Sequence, residues 1–171
     1  MSASKQSAQD DPPRPSLGRV LEFMRLVWAL DHSLQKTSKR MKLRLGVTGP
    51  QRLVIRVVAR FPGIPLGRLA ELLHVHPSTL TGVVKRLEQQ GLLSRRIDGR
   101  DRRRVLLGLT RKGMRLDTES EGTVETAVRA ALSTLPESKI RIAAEVLGRI
   151  GESLEQTTHT LSQGGDSPDT E

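Results

Sequence analysis

The segment from Leu66 to Thr110 limits the folds open to this chain more than any other, because it orders two short helical patterns, a glycine stop and an arginine-packed hairpin. Pro77 suits the first position of a helix and Gly91 the left-handed residue just past its end, so both boundaries of a helix over 77–90 are signalled. Inside it Leu80, Val83, Val84 and Leu87 follow the i, i+3, i+4, i+7 rule, while Ser78, Gly82, Lys85 and Gln89 share the opposite face, flanked by Thr79, Thr81 and Arg86. Upstream, Leu66, Leu69, Ala70, Leu72 and Leu73 predict a short amphipathic helix, and Val75 and His76 leave room only for a tight corner. Downstream, Leu92–Ile97 and Arg104–Leu109 read as strands, with Val105, Leu107 and Leu109 alternating and Asp98-Gly99 as the hairpin signal. This order predicts a winged helix-turn-helix, with the hairpin as the wing.

Small hydroxyls and cations on a free helix face suit the base edges and phosphates of a DNA major groove, and a helix of this length, roughly 21 Å, is ample for it. Any surface helix turns polar residues outward, so the face alone does not decide the matter. The wing does. Residues 95–104 hold six arginines and two aspartates, a formal +4. Cations packed so densely repel one another unless a polyanion is present, and arginine inserts favourably into a narrow minor groove. A merely solvated basic loop is the bland alternative.

The whole chain bears the same sign, with 28 Lys and Arg against 19 Asp and Glu, a net +9 over 171 residues. That length suits one core with extensions. Such a balance favours nucleic acid or an anionic membrane surface. No apolar run is long enough to span a bilayer and the first residues lack the hydrophobic core of a secretory signal, so a cytoplasmic protein is expected. Cysteine is absent, which excludes thiol redox sensing and thiolate metal sites. Phe23, Trp28 and Phe61 are the whole aromatic supply, too few for the stacking platforms of RNA or single-strand binders. His74 and His76 stand two apart without thiols or a carboxylate cluster, so no metal site is expected. His76 better suits the backbone of DNA, or the cap before Pro77. A Gly-x-Ser-x-Gly elbow is missing too, and no enzyme activity is expected.

Outside the core motif, residues 1–15 and 161–171 are polar and read as disordered tails. Residues 16–45 carry Leu17, Leu21, Met24, Val27, Trp28, Leu34 and Met41 along one long amphipathic helix. Thr48 opens a helix through Leu53, Val54, Val57, Val58 and Phe61, and Ile64-Pro65 can supply a very short third strand. After the wing, Thr110 predicts an N-cap for one helix to about Leu132. Pro136 starts another, whose Ile140, Ala143, Leu147, Ile150 and Leu154 repeat at heptad-like spacing and want an apolar partner. The division expected is therefore a dimerisation helix at 16–45, a winged helix-turn-helix at 46–110 and C-terminal dimerisation helices at 111–160. The fold class is mainly α with a small β wing, bracketed by these terminal helices.

The stretch GRLAELLHVHPSTLTGVVKRLEQQGLLSRRIDGRDRRRVLLGLTRKG resembles the MarR family of bacterial transcriptional regulators in the order and spacing of its leucine-alanine helix, Ser-Thr helix, Leu-Glu, Gly, Asp-Arg-Arg wing and Leu-Thr-x-x-Gly. The likeness covers about residues 16–156. It implies a homodimeric regulator, expected as a repressor at the nucleoid, whose recognition helices read a pseudo-palindrome in double-stranded DNA while the wings enter the flanking minor grooves. His76, Ser78, Thr79, Thr81, Gly82, Lys85 and Arg86 would be the recognition-helix contacts. Arg100, Asp101, Arg102, Arg103 and Arg104 would form the wing site, with Asp101 bracing Arg103 and Arg100 and Arg102 at the tip. Gly82 departs from the arginine of many relatives, and Lys85 from their acidic residue. Many relatives hold a small anionic aromatic effector; here Met24, Arg25, Trp28 and His32 are the expected pocket, with no cofactor or metal. A sequence-tolerant architectural DNA binder, or a partner-docking winged helix, is the competing expectation.

Overall fold

A computed structural model of the chain describes residues 17–99, 101 and 104–163, with the backbone alone for 159 and 161–163. The N-terminal tail expected over 1–15 lies outside the described residues. So does the expected C-terminal tail, except that 161–163 close the last helix.

Local signals set most boundaries. Helix α1 (Gly18–Leu45) ends where Gly46 turns left-handed at φ 75 and returns its N–H to the Lys42 carbonyl. Helix α2 (Gly49–Arg60) starts at a capping box: the Thr48 side chain accepts from Gln51 N, and the Gln51 side chain accepts from Thr48 N at 2.9 Å. Helix α3 (Leu66–Leu73) stops at His74, the one described non-glycine residue with positive φ, at 49°. Helix α4 (Pro77–Gln89) follows, then strands β1 (Leu93–Ile97) and β2 (Val105–Leu109). Helices α5 (Arg111–Leu116), α6 (Val124–Leu132) and α7 (Glu137–Gln163) complete the chain.

One core sits beneath the helix-turn-helix and its wing. Val54, Ile55 and Val58 of α2 meet Leu69 and Ala70 of α3, Leu80, Val84 and Leu87 of α4, and Leu92, Leu93 and Leu107 of the hairpin. Burying each large aliphatic side chain contributes about 1.5–3 kcal/mol. The strands pair antiparallel from Leu93↔Leu109 to Ile97↔Val105. The expected third strand shrinks to a single bridge, Pro65↔Leu106, because proline offers no N–H to continue the ladder. Leu53, Phe61 and Leu72, among the apolar residues that mark these two helices in the sequence, are exposed.

The single helix expected from Thr110 to Leu132 is two helices. Asp117 ends α5, Gly122 turns left-handed at φ 71, and Thr123 caps α6 by accepting from Thr126 N. Helix α5 belongs to the winged unit and not to the terminal arms. Thr110 Oγ1 donates to Gly91 O at 2.7 Å and accepts from Gly113 N at 3.1 Å. Gly113 is buried so tightly that a Cβ there would fall 2.1 Å from the Leu92 carbonyl oxygen. This contact gives the Leu-Thr-x-x-Gly spacing its physical reason: the hydroxyl caps α5 and the missing side chain lets α5 lie on the strand entry.

The terminal helices leave their apolar faces open. Of the stripe on α1, only Met41 is buried; Trp28 is 78% exposed, and Leu21 and Met24 are exposed as well. On α7 Leu147 and Leu154 are likewise exposed, while Ile140 and Ile150 are half-buried.

Gly113→Ala is expected to lower stability by about 1–3 kcal/mol, the usual cost of forcing extra volume into a packed site. Urea denaturation reads this as a lower midpoint at unchanged slope. A variant as stable as the parent would mean that α5 and the strand entry part freely.

Candidate nucleic-acid interface

Which side of α4 faces outward follows from three residues: Leu80, Val84 and Leu87 are each buried to 1% exposure or less, and Val83 is partly buried beside them. At 100° per residue, Ser78, Gly82, Lys85 and Gln89 then form the outward stripe, with Thr79 and Arg86 on one flank and Thr81 on the other. All seven are exposed. None is acidic.

The helix N-terminus is closed from within. His76 is extended, and its Nδ1 accepts from Ser78 N at 3.3 Å and lies 2.7 Å from Ser78 Oγ, so the imidazole does stand in for the usual hydroxyl or carboxylate cap. Thr81 Oγ1 donates to Pro77 O at 2.8 Å. Thr79, Lys85 and Arg86 make no side-chain hydrogen bond or ion pair with any described residue. Their donors face outward, and two of them are cations.

The wing is braced against this helix. Arg95 Nε of β1 forms an ion pair with Glu88 Oε1 of α4 at 2.7 Å, with both side chains about two-thirds buried. One of the six arginines expected to await a polyanion is therefore neutralised inside the protein, and it fixes the wing to α4 instead. Leu93 anchors the base of the strand in the core. Around the turn, Asp98 N donates to Arg104 O and Arg104 N to Asp101 O, each at 2.9 Å, which closes the loop's stem. Asp101 and Arg104 are exposed. Arg100, Arg102 and Arg103 lie outside the described residues, and with them the expected Asp101–Arg103 brace.

Gly82 has open space where a side chain would go, with nothing within 4 Å of a built Cβ. Protein packing gives no reason for glycine here.

A second cationic surface was absorbed in the sequence reading into the dimerisation helix. Over the last turns of α1, Lys36, Lys39, Arg40, Lys42 and Arg44 occupy the exposed positions along with Leu43, with no acid among them. Its signal was available: on a helix that merely dimerises, exposed positions carry mixed charges. Cations also suit the negative end of a helix dipole, so this surface alone identifies no partner.

The expected effector residues are only partly gathered. Met24 and Trp28 line a groove of about 780 Å³ between α1 and α7, together with Arg19, Phe23, Ile150 and Leu154; Arg25 and His32 are not part of it. Arg25 is committed elsewhere, since its guanidinium donates to Glu22 one turn earlier and holds that exposed carboxyl below its usual range. His74 shapes the α3–α4 corner, and no group of three metal-ligating side chains exists among the described residues. No described helix is long and apolar enough to cross a membrane.

Residues 47–105 match the family model described as MarR family. The organic hydroperoxide resistance transcriptional regulator of Bacillus subtilis (strain 168) is 33% identical over 88 residues, which cover 52% of this chain and 60% of that regulator, less than two thirds of its length. The HTH-type transcriptional repressor MdtR of the same organism is 28% identical over 127 residues, covering 74% of this chain and 82% of the repressor. Among solved structures, S. aureus MepR in its complex with DNA superposes with a TM-score of 0.64 at 20% identity, covering 77% of this chain and 97% of that one. At that identity the likeness is one of fold.

Gly82→Ala separates two roles of α4. Alanine in an exposed helix interior is expected to raise stability by about 1 kcal/mol, seen as a higher melting temperature. The same methyl group on the outward stripe is expected to weaken duplex binding at least severalfold, read by fluorescence anisotropy. A variant that is both more stable and equally tight would show that no ligand backbone approaches this position.

Proposed function

The chain belongs to the MarR family, and from that premise we propose that it is a homodimeric transcriptional regulator that binds a pseudo-palindromic operator in duplex DNA, most simply as a repressor of the genes it covers. The observation that carries this reading is the outward side of α4. Ser78, Thr79, Thr81, Lys85 and Arg86 are exposed and acid-free, on the helix whose other side is locked into the core that also holds the arginine hairpin. Hydroxyls and a lysine on such a helix suit base edges and phosphates of the major groove. The hairpin, held to α4 by Arg95 and Glu88, is the element that would follow the neighbouring minor groove. The reading places the protein in the cytoplasm, on the nucleoid.

Dimerisation is supported by what α1 and α7 leave uncovered. Leu21, Met24, Trp28, Leu147 and Leu154 are exposed on two long helices that border one groove, an apolar surface of the kind a second copy of the chain would cover. A two-fold pair would set two recognition helices about 34 Å apart, one turn of the duplex. A small aromatic acid as effector would rest against Met24 and Trp28, with Arg19 rather than Arg25 as its counter-charge.

Competition binding decides between a regulator and a sequence-tolerant binder. The full chain is expected to prefer an inverted repeat selected from a random duplex pool over bulk DNA by about a thousandfold or more. In the same buffer, sedimentation at micromolar concentration is expected to give a species of twice the 18.9 kDa chain mass. Equal affinity for all duplexes, or a monomer throughout, contradicts the proposal. For the effector, salicylate is expected to raise the melting temperature of the wild-type protein and to leave Trp28→Ala unmoved; no shift in either removes that part of the reading.

A further inference from the structure

Arg52 is the largest fully buried side chain among the described residues, at 1% exposure, and sequence reasoning gave it no role. It projects from α2, whose neighbouring residues Val54 and Ile55 build the winged core, yet its partners all lie from the last residue of α5 to the first turn of α6. Nε donates to Glu125 Oε1 at 2.5 Å, Nη1 to Leu116 O at 2.6 Å and Nη2 to Thr118 O at 2.8 Å. One turn later Arg56 donates to both the backbone carbonyl and the carboxylate of Asp117, the latter at 2.9 Å.

Of these acceptors, Leu116 O and Asp117 O are carbonyls at the C-terminal end of α5, which no further turn of helix satisfies, and Thr118 O follows just beyond. The two guanidiniums complete them and sit where the helix dipole favours positive charge. A buried arginine needs such a set: its fork satisfies several acceptors at fixed angles, whereas a lysine is a point charge on a flexible stem.

The segment so gripped is itself stiff. Thr123, buried, donates to Ser120 O at 3.0 Å, Thr126 Oγ1 donates to the same oxygen at 2.9 Å, and Arg129 pairs with Glu119, whose carboxyl that partner holds below its usual range. On its far side Gly49 N donates to Ser38 Oγ of α1 at 2.8 Å, and a Cβ at Gly49 would touch both Ser38 and Val124 at 3.5 Å. Helices α1, α2 and α6 therefore meet at one point, and the Arg52–Arg56 pair is the polar bolt through it.

We infer that Arg52 is a positioning residue that sets the angle between the winged unit and the terminal arms, and through it the half-site spacing that the two recognition helices accept. The inference rests on the dimeric DNA-binding reading above. An arm that pivots by a few degrees at this joint carries the far end of a long helix through several ångströms. One inserted base pair rotates and shifts a half-site by roughly 34° and 3.4 Å, so a rigid joint rejects it and a loose one tolerates it.

The test uses the full chain and an inverted repeat that the wild-type protein itself selects from a random duplex pool. Affinity is measured on that duplex, on versions with the spacer changed by one base pair either way, and on an isolated half-site, for wild type, Arg52→Lys and Glu125→Gln. Wild type is expected to favour its own spacing by about tenfold or more, the size of an ordinary coupling between sites. Arg52→Lys is expected to bring that ratio below about twofold while its half-site affinity stays within about twofold of wild type. Glu125→Gln keeps both carbonyl bonds and is expected to fall between them, which preserves the test should the lysine variant fold poorly. Unchanged spacing preference in both variants overturns the inference alone, as does a loss on the half-site equal to the loss on the full site, since that is general unfolding. Failure of the wild-type protein to select any inverted repeat overturns the regulator reading and this inference with it.

Discussion

Burial of Leu80, Val84 and Leu87 against α2 and α3 is the constraint on which the rest of the interface depends. A helix with one side committed to a core has no freedom to rotate, so its remaining stripe is presented in a fixed direction. Everything proposed for Ser78, Thr79, Thr81, Gly82, Lys85 and Arg86 follows from that fixed rotation. Removing the apolar anchors would lose the orientation before it lost the residues. The wing inherits its place from the same core through Leu93 and Leu107, and its lean toward α4 from the Arg95–Glu88 pair. Interior packing thus fixes where the exterior cations stand.

The parts legible in the sequence were those whose cause is local. The 3.6-residue repeat in α4, Thr48 as the opening of α2, Gly91 as a left-handed stop and the paired strands around Asp98-Gly99 each depend on residues close in the chain. Parts that depend on distant partners were not legible. Arg52 reads as one more surface cation until its acceptors arrive 64 to 73 residues later. The division of the expected 110–132 helix depends partly on Gly122, a local signal passed over, and partly on α2 gripping the gap from outside. Arg95 was counted toward the free charge of the wing because Glu88, seven residues earlier in sequence, belongs to a different element.

Charge and apolar surface divide the work between the two ends of the molecule. The winged unit carries an arginine-rich hairpin and an α4 whose outward stripe holds no acid, while α1 and α7 carry exposed Leu, Met and Trp that need another apolar surface. Between them lies the joint at Gly49, Arg52 and Glu125, with Arg52 buried and the other two partly buried around it. A regulator that must read two half-sites at once needs this stiffness, because each recognition helix is placed by the other subunit as much as by its own core. It also offers a place where a change near the arms reaches the reading helix through α2.

Hydroxyl-radical footprinting of the selected duplex tests the central claim most directly, since it reads where the backbone is covered without assuming which residues cover it. Two protected blocks about one helical turn apart, on one face of the duplex, each flanked by a minor-groove protection at the outer edge, are the pattern the account requires. Uniform protection, or a single block with no symmetric mate, would contradict the view that α4 and the wing of each of two subunits grip one double helix together.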